Sequence, residues 1–411
     1  MELTADRGRR ITVDELNTTQ LLAHATRQAR RRNYDDMLIV DVDAHHYENE
    51  NMREILPFIE NDVLKQIVLS SASTNLRSLM PASFGSQDMG GRITRYPLRS
   101  TEKTQPGKHR DIQLGERWMD AIGVDYSCLF PTGMLAIGLH PQKEVEVELC
   151  WAYNRWLTEK VLPESDGRLF SMLCLPFSDP HQSLRQIKKF GSRKGVTGFM
   201  VTTVRDAPVH DNAYMKVYRA IEERGLTLSF HAGPNWGEPI FKSCNRFISV
   251  HALGFTFYNI LHLTNWVING LCERFPKLPV IWIESGLAWI PFLMQRLDHE
   301  YMIRPSEAPL LRKKPSEYIR DMYYSSQPME IQNPKALECT FEMINAEERL
   351  LYSSDYPHWD FDLPSTIYDL PFLSERAKHN ILGGTAARLL KLPPRNDKQR
   401  ENLLRFENLT G

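Results

Sequence analysis

Acidic and histidine residues stand at, or just after, the ends of four short apolar segments of the sequence. They are Asp43, His45, Glu48, His231, Glu284 and Asp355. Carboxylate and imidazole groups are the ligands that iron, manganese and zinc ions take in proteins. Because only 13 of the 411 residues are histidine, chance alone rarely places such residues at four segment ends. The pattern therefore predicts a metal site that forms where these segments end.

The spacing within the first of these segments supports a shared site. Asp43 and His45 are two residues apart, so in a strand both side chains project to the same face. His46 has the opposite parity and is expected to face the surrounding helices instead. Glu48 is expected to lie on a loop and fold back over the site. A single aspartate at a strand end often caps a helix instead, but agreement among four segments favours the metal site.

Two further histidines lie near these segments in the sequence. His358 follows Asp355 by three residues, and His251 precedes a stretch with the periodicity of a long helix. We expect His251 to be a metal ligand; the alternative is that it holds another ligand in place by a hydrogen bond. His358 is expected to act in catalysis beside Asp355.

The apolar segments alternate with longer stretches of helical periodicity. Runs that are apolar almost throughout are typical of parallel strands covered on both faces, and their alternation with helices indicates βαβ units. Eight such runs predict an α/β protein with a distorted (β/α)8 TIM barrel, in which all strands end at one mouth. An open, doubly wound sheet is the alternative. The expected strands are residues 38–43, 126–130, 169–177, 197–203, 226–231, 279–284, 322–326 and 350–355.

Three segments do not fit this alternation. Residues 1–36 are polar and basic and are expected to form an N-terminal extension outside the barrel, which spans 37–392. Residues 72–110 are rich in Ser, Gly, Arg and Thr, and we expect a lid-like insertion after the first strand, with disorder as the alternative. Residues 393–411 are expected to form a C-terminal tail.

The overall composition excludes several classes of protein. Lys and Arg number 50 against 51 Asp and Glu, for a net charge of -1, which speaks against a nucleic-acid binder. We find no apolar segment typical of a secretory signal and none long enough to span a membrane. The six cysteines are scattered without a CxxC pair. We therefore expect a cytoplasmic protein with reduced thiols.

The segments around these residues resemble the amidohydrolase superfamily, in the branch of aminocarboxymuconate semialdehyde decarboxylase and the resorcylate decarboxylases. The similar segments are DAHHYE (43–48), MDAIGVD (119–125), FHAG (230–233), FPKLPVIWIESG (275–286) and SSDYPH (353–358). The resemblance spans about residues 37–392 and implies a barrel, a divalent metal and a small organic substrate. It also implies that His45 and His231 bind the metal. Asp355 would be a ligand that handles a proton.

The chain departs from this family pattern in ways that affect the metal. Many relatives carry His-x-His on the first strand, whereas this chain has Asp43 and His45, with Glu48 following. Glu284 stands where the muconate decarboxylase has a catalytic histidine. Seven candidate ligands are more than one zinc ion needs, and four packed carboxylates need compensating charge. We therefore expect two divalent ions per chain, iron and/or manganese, or zinc if the enzyme is a hydrolase.

These departures favour one of three functional hypotheses. A side branch of the superfamily contains oxygen-activating hydroxylases, so the first hypothesis is a dinuclear iron or manganese–iron monooxygenase that uses O2 and a reductase partner. The second is a zinc- or manganese-dependent hydrolase or non-oxidative decarboxylase. The third is a non-catalytic subunit of a heteromeric enzyme. For an enzyme we expect Asp355, Glu284 and His358 to be catalytic, with a small-molecule substrate and a homo- or hetero-oligomeric assembly.

Overall fold

Eight parallel strands form a nearly closed barrel in the computed structural model, which describes residues 18–70, 104–202, 207–231, 233, 238–358 and 360–407. Each strand pairs with the next along the chain. They are β1 (Val40–His46), β2 (Tyr126–Pro131), β3 (Leu169–Cys174), β4 (Val196–Thr202), β5 (Thr227–His231), β6 (Val280–Ile283), β7 (Tyr323–Ser325) and β8 (Leu350–Leu351). The prediction of a (β/α)8 barrel is confirmed.

Backbone hydrogen bonds between β1 and the segment after β8 close the barrel. The N–H of Val42 donates to the carbonyl of Tyr352 at 3.0 Å, and the N–H of His45 donates to Tyr356 at 2.7 Å. A doubly wound sheet has two open edges and lacks such bonds. The open-sheet alternative is therefore wrong.

Seventeen α-helices lie in the described part of the chain. They are α1 (Thr18–Arg31), α2 (Met52–Ile55), α3 (Asp62–Ser70), α4 (Arg110–Ile122), α5 (Lys143–Trp156), α6 (Pro180–Phe190), α7 (Met215–Glu222), α8 (Phe247–Ile268), α9 (Leu271–Arg274), α10 (Trp289–Ile303), α11 (Pro315–Arg320), α12 (Pro334–Met343), α13 (Ala346–Arg349), α14 (Ser365–Tyr368), α15 (Glu375–His379), α16 (Thr385–Leu390) and α17 (Asp397–Glu407). Within the described ranges, no helix combines the length and apolar character needed to cross a bilayer.

Local sequence explains where these helices begin. In α6, the carboxylate of Asp179 accepts a hydrogen bond from the N–H of Gln182 at 3.0 Å, and Pro180 occupies the first position. Both features satisfy the free N–H groups of a first turn. Helix α8 begins at Phe247, so His251 lies within its first two turns rather than before it.

The two ends of the described chain pack against the barrel. Ala25 and Ala29 of α1 are buried. From α17, the Nε2 of Gln399 donates to the carbonyl of Met37 at 3.1 Å and reaches the carboxylate of Asp125 at 3.1 Å. Residues 1–17, 408–411 and 72–103 of the expected insertion lie outside the described residues.

His379 links this C-terminal helix to the body. Its ring packs on Phe406 of α17, with ring centroids 4.6 Å apart. Burial lowers the pKa of His379 to about 4; Glu375 opposes this shift and Arg405 adds to it. The folded protein therefore holds this imidazole neutral, whereas an unfolded chain would protonate it below about pH 6.5.

We expect the packing of α17 to weaken as the pH falls from about 7 to 5. Because the folded pKa lies below the unfolded one, this stability is complete above about pH 6.5 and is lost as the pH falls through about 4. Hydrogen–deuterium exchange over 397–407, corrected for intrinsic rates, should show more frequent opening at the lower pH. His379→Gln should remove the difference; equal pH dependence in both proteins would rule this explanation out.

Candidate metal centre

The structure gathers five of the predicted residues at the barrel mouth. Asp43 and His45 belong to β1, and His231 is the last residue of β5. Glu284 directly follows β6, and Asp355 lies four residues beyond β8. All five are buried. The ends of four different strands therefore meet at one mouth and bring these residues together, as the barrel geometry requires.

Three donor atoms lie close together in this cluster, and a fourth adjoins one of them. Nε2 of His231 lies 3.2 Å from Oδ1 of Asp43 and 3.2 Å from Nε2 of His45. Nε2 of His45 lies 3.3 Å from Oδ1 of Asp43 and 3.4 Å from Oδ1 of Asp355. Atoms bound to one ion at about 2.0–2.2 Å lie roughly 3.0–3.6 Å apart. The spacings among Asp43, His45 and His231 match those of ligands around one cation, and Asp355 adjoins this set at His45.

The remaining carboxylate oxygens also fit a cation. Oδ2 of Asp43 and Oδ2 of Asp355 are buried and have no hydrogen-bond partner among the described residues. In the same part of the chain, the ion pairs of both carboxylates are with histidines only. A buried carboxylate oxygen without a partner costs free energy that a bound divalent ion would recover. The donor set therefore forms a metal-binding site.

His45 and Asp43 are in the protonation states that metal ligands need. Burial lowers the pKa of His45 to about 3, and the neighbouring His358 adds to this effect, so its imidazole is neutral. Burial raises the pKa of Asp43, but the charges and hydrogen bonds of His231 and His45 outweigh it and hold the pKa below its ordinary value. A neutral imidazole and an ionised carboxylate are the forms that bind a metal.

Asp355 and His358 form a second, overlapping group. Nδ1 of His358 lies 2.7 Å from Oδ1 of Asp355, and its Nε2 lies 3.2 Å from Oγ1 of Thr132. His45, Asp355 and His358 are close enough to share an ion, as are Asp43, His45, His231 and Glu284. Burial raises the pKa of Asp355 well above its ordinary value, and the charges of Asp360 and Asp43 add to the shift.

Two of the site carboxylates stand on strained backbone. Glu284 has φ 54° and Asp355 has φ 58°, in the left-handed region that residues other than glycine rarely adopt. The N–H of Glu284 donates to Oγ of Ser325 at 2.9 Å, and the N–H of Asp355 donates to the carbonyl of Asp43 at 2.7 Å. These turns end β6 and β8 earlier than the apolar runs predicted. Such strain of roughly 1–3 kcal/mol per residue is typical of functional sites.

Glu284 lies beside the second ring nitrogen of His231 and within reach of the other members of the cluster. Its Oε2 lies 3.5 Å from Nδ1 of His231, whereas Nε2 of that ring faces Asp43 and His45. A carboxylate beside the second ring nitrogen fixes the tautomer and orientation of a metal-bound histidine. Phe130 packs edge-on against the same ring, with centroids 4.9 Å apart.

Glu48 and His251 stand outside both groups. The carboxylate of Glu48 is buried and accepts hydrogen bonds from the N–H groups of Thr132 and Met134 at 2.9 and 2.7 Å. Burial raises its pKa, and these N–H groups oppose the shift. His251 projects from α8, and its Nε2 lies 3.7 Å from Oδ2 of Asp360. The structure thus brings neither side chain to the cluster.

Groups outside the predicted set of residues hold this site in place. Nδ1 of His45 lies 3.0 Å from the carbonyl of Pro131, and Thr132 touches His358. Pro131 is the last residue of β2 and Thr132 directly follows it. A search of all strand ends for polar side chains would therefore have found Thr132. His46 faces outward as its parity predicts, and bonds to Asp111 and Tyr153, each at 2.8 Å.

Comparison with known proteins assigns the chain to a family. The amidohydrolase family model matches residues 40–392. The chain is 22% identical to 2-amino-3-carboxymuconate-6-semialdehyde decarboxylase of Dictyostelium discoideum, over 69% of this chain and 77% of that protein. It is also 22% identical to gamma-resorcylate decarboxylase of Rhizobium radiobacter, over 70% and 90%. The chain therefore belongs to the amidohydrolase superfamily, in the branch of these decarboxylases.

Solved structures share the fold. 5-Carboxyvanillate decarboxylase from Sphingomonas paucimobilis superposes with a TM-score of 0.60 at 21% identity, covering 87% of this chain and 100% of that one. A dihydroxybenzoic acid decarboxylase from Polaromonas, solved with manganese and 2-nitroresorcinol, gives 0.60 at 17% identity, covering 88% and 99%. These likenesses show the fold, and it is the family match that makes the chain an enzyme of the amidohydrolase superfamily.

These comparisons overturn the leading functional hypothesis. The relatives are non-oxidative decarboxylases, so the dinuclear iron or manganese–iron monooxygenase, with its need for O2 and a reductase, is wrong. The excess of carboxylates had motivated that hypothesis. In one of these carboxylates, that of Glu48, both oxygens accept hydrogen bonds from backbone N–H groups of the next loop.

We expect Asp355→Asn to have opposite effects with and without metal. In the metal-free protein it removes a buried carboxyl group whose ionised form is opposed by burial and by the charges of Asp360 and Asp43, so the melting temperature should rise by about 2 °C or more at a pH where this group ionises. Because a ligand is lost, the affinity for Mn²⁺ should fall about tenfold or more. Differential scanning fluorimetry in EDTA and across a Mn²⁺ titration measures both, with Asp62→Asn on exposed α3 as the control. A metal-free variant less stable than the parent protein would show that the carboxylate is satisfied without a cation.

Proposed function

We propose that the protein is a non-oxidative decarboxylase that removes CO2 from a small organic acid. One observation carries the proposal: Asp355 adjoins both the donor cluster and His358. Its Oδ1 lies 3.4 Å from Nε2 of His45 and 2.7 Å from Nδ1 of His358. A carboxylate substrate held at the cation therefore lies beside a proton donor. The decarboxylases to which the chain is similar support the same reaction.

We propose one divalent ion, manganese or zinc, as the resident cofactor. The donor atoms of Asp43, His45, His231 and Glu284 lie close enough together to share an ion, and Asp355 adjoins this group through His45, which the two groups have in common. When bound, such an ion polarises carboxylate and phenolate-type oxygens of a substrate and holds them in place. Manganese is the ion in the similar Polaromonas structure.

The chemistry of decarboxylation requires a proton at carbon. Breaking the bond between the substrate carbon and its carboxylate releases CO2, and that carbon must gain a hydrogen in its place. Asp355 is the group placed to deliver this proton, because its Oδ1 lies beside both the donor cluster and Nδ1 of His358. Once solvent has protonated His358 at Nε2, its Nδ1 passes a proton to Oδ1 of Asp355, from which it lies 2.7 Å, and the imidazole is again neutral. The side chain of His358 is 10% exposed, so solvent can restore its proton.

Neighbouring residues prepare the site for this step. Glu284 orients His231 through Nδ1, at 3.5 Å, in the position where the resemblance places a catalytic histidine. We therefore assign protonation of the substrate to Asp355 and His358 rather than to Glu284, which follows β6. Phe130 and Tyr47 place aromatic rings against His231 and His358, which limits the access of water.

The substrate class follows from the need to stabilise the breaking bond. The relatives are named for carboxylates borne on unsaturated carbon, such as resorcylate, carboxyvanillate and carboxymuconate semialdehyde. An unsaturated carbon accepts a proton before the C–C bond breaks, and the released electron pair then restores the conjugated system. We propose that this enzyme acts on an aromatic or conjugated acid with a polar substituent next to the carboxylate.

We expect the Mn²⁺-loaded protein to release CO2 from members of a panel of hydroxybenzoic, methoxybenzoic and conjugated enoic acids. Headspace CO2 and product mass, measured under nitrogen and in air, should be the same, because the reaction consumes no O2. Asp355→Asn and His358→Gln should lower kcat by about 100-fold or more, while Asp62→Asn should not. Turnover that requires O2, or hydrolysis of amides or lactones without CO2, would refute the proposal.

A further inference from the structure

Glu48 binds the loop that follows β2. Its Oε2 accepts the N–H of Thr132 at 2.9 Å, and its Oε1 accepts the N–H of Met134 at 2.7 Å. The N–H of Thr132 is shared with the carbonyl of His46, 3.1 Å away. The side chain is fully buried. Both carboxylate oxygens therefore have a backbone partner in the neighbouring loop.

The geometry of this loop explains why a carboxylate is placed there. Residues Gly133–Leu139 form a short 3-10 helix that starts directly after Thr132. The first N–H groups of a helix have no partner within it, and they favour a negative charge. Without Glu48, the N–H of Met134 would lose the acceptor that fixes the start of this helix. The position of Thr132 thus depends on a residue from the preceding strand's loop.

Thr132 in turn contacts His358, the residue proposed to return a proton to Asp355. Its Oγ1 lies 3.2 Å from Nε2 of His358, and Nδ1 of the same ring lies 2.7 Å from Oδ1 of Asp355. We assign to His358 the tautomer in which the Nδ1–H donates to the carboxylate of Asp355 and Nε2 accepts from the hydroxyl of Thr132. Two directed hydrogen bonds, one at each nitrogen, select the tautomer and the plane of this imidazole.

We propose that Glu48 is a positioning residue for catalysis, acting through Thr132 on His358. This inference rests on the proposed function, because it assigns a purpose to the orientation of His358. It replaces the expected role of Glu48 as a metal ligand, since both of its oxygens are engaged 2.7–2.9 Å from backbone N–H groups. The carboxylate of Glu48 touches neither substrate nor metal in this arrangement.

Three substitutions test the chain of contacts. Thr132→Val removes the hydroxyl and keeps the shape, and Thr132→Ser restores a hydroxyl as the conservative control. Glu48→Gln keeps the volume but presents a donor to one of the two N–H groups. We expect Thr132→Val and Glu48→Gln each to lower kcat by about 10- to 100-fold, with KM changed less than about threefold. Thr132→Ser should stay within about threefold of the parent protein.

The double variant distinguishes one path from two independent effects. If Glu48 acts through Thr132, combining Glu48→Gln with Thr132→Val should lower kcat no further than the larger single effect. Losses that multiply would overturn the proposal. Bound Mn²⁺ per chain should be equal in all variants; loss of metal in Glu48→Gln would instead establish Glu48 as a ligand.

A readout without turnover separates this inference from the proposed function. In protein labelled with ¹⁵N-histidine, with His358→Gln to assign the signal, we expect His358 to be the Nδ1–H tautomer. Thr132→Val and Glu48→Gln should both shift it toward a mixture, whereas Thr132→Ser should not. An unchanged tautomer in both variants overturns the positioning role, even if every panel acid is decarboxylated. A changed tautomer supports it even if none is.

Discussion

The burial of two carboxylates among histidines at the barrel mouth is the constraint on which the rest of this structure depends. Asp43 and Asp355 are inaccessible to solvent, and in the described part of the chain their ion pairs are with imidazoles that are themselves buried. Such a group is unfavourable until a cation enters it. The fold must therefore hold these side chains in place against their own repulsion.

Carboxylates that bind backbone rather than metal provide part of this support. Asp41, one layer below Asp43, accepts the N–H and hydroxyl of Ser354 at 2.9 and 2.6 Å and so ties β1 to the segment after β8. Burial raises the pKa of Asp41 to about 7, and these bonds oppose the shift. Glu330 accepts the N–H groups of Leu287 and Ala288 at 2.9 and 2.8 Å, just after the strained Glu284. Adjacent loops at the mouth are thus bound to one another by acidic side chains.

The fold and the centre of the site follow from local pattern. Parallel strands buried on both faces must be apolar throughout, so the sequence predicts the barrel, and the residues at strand ends meet at its mouth. His45, His231 and Asp355 illustrate this. What a carboxylate accepts is decided by tertiary contacts, which is why Glu48 was indistinguishable from Asp43 in the sequence. Counting it as a ligand favoured two ions and, with them, oxygen chemistry.

The position of His251 could not be predicted from the sequence either. Its neighbours in sequence are apolar, and the helix it belongs to begins four residues earlier, at Phe247. The position of a helix start relative to a barrel mouth depends on the path of the preceding loop, which local periodicity does not encode. Its side chain consequently meets Asp360 rather than the ligand cluster.

The central claim is that Asp43, His45, His231 and Asp355 surround one cation. Anomalous diffraction from crystals of the Mn²⁺-loaded protein tests it most directly. We expect one strong peak, at about 2.0–2.3 Å from Oδ1 of Asp43, Nε2 of His45, Nε2 of His231 and a carboxylate oxygen of Asp355. Two peaks of comparable height, or a peak bonded to Glu48, would contradict it.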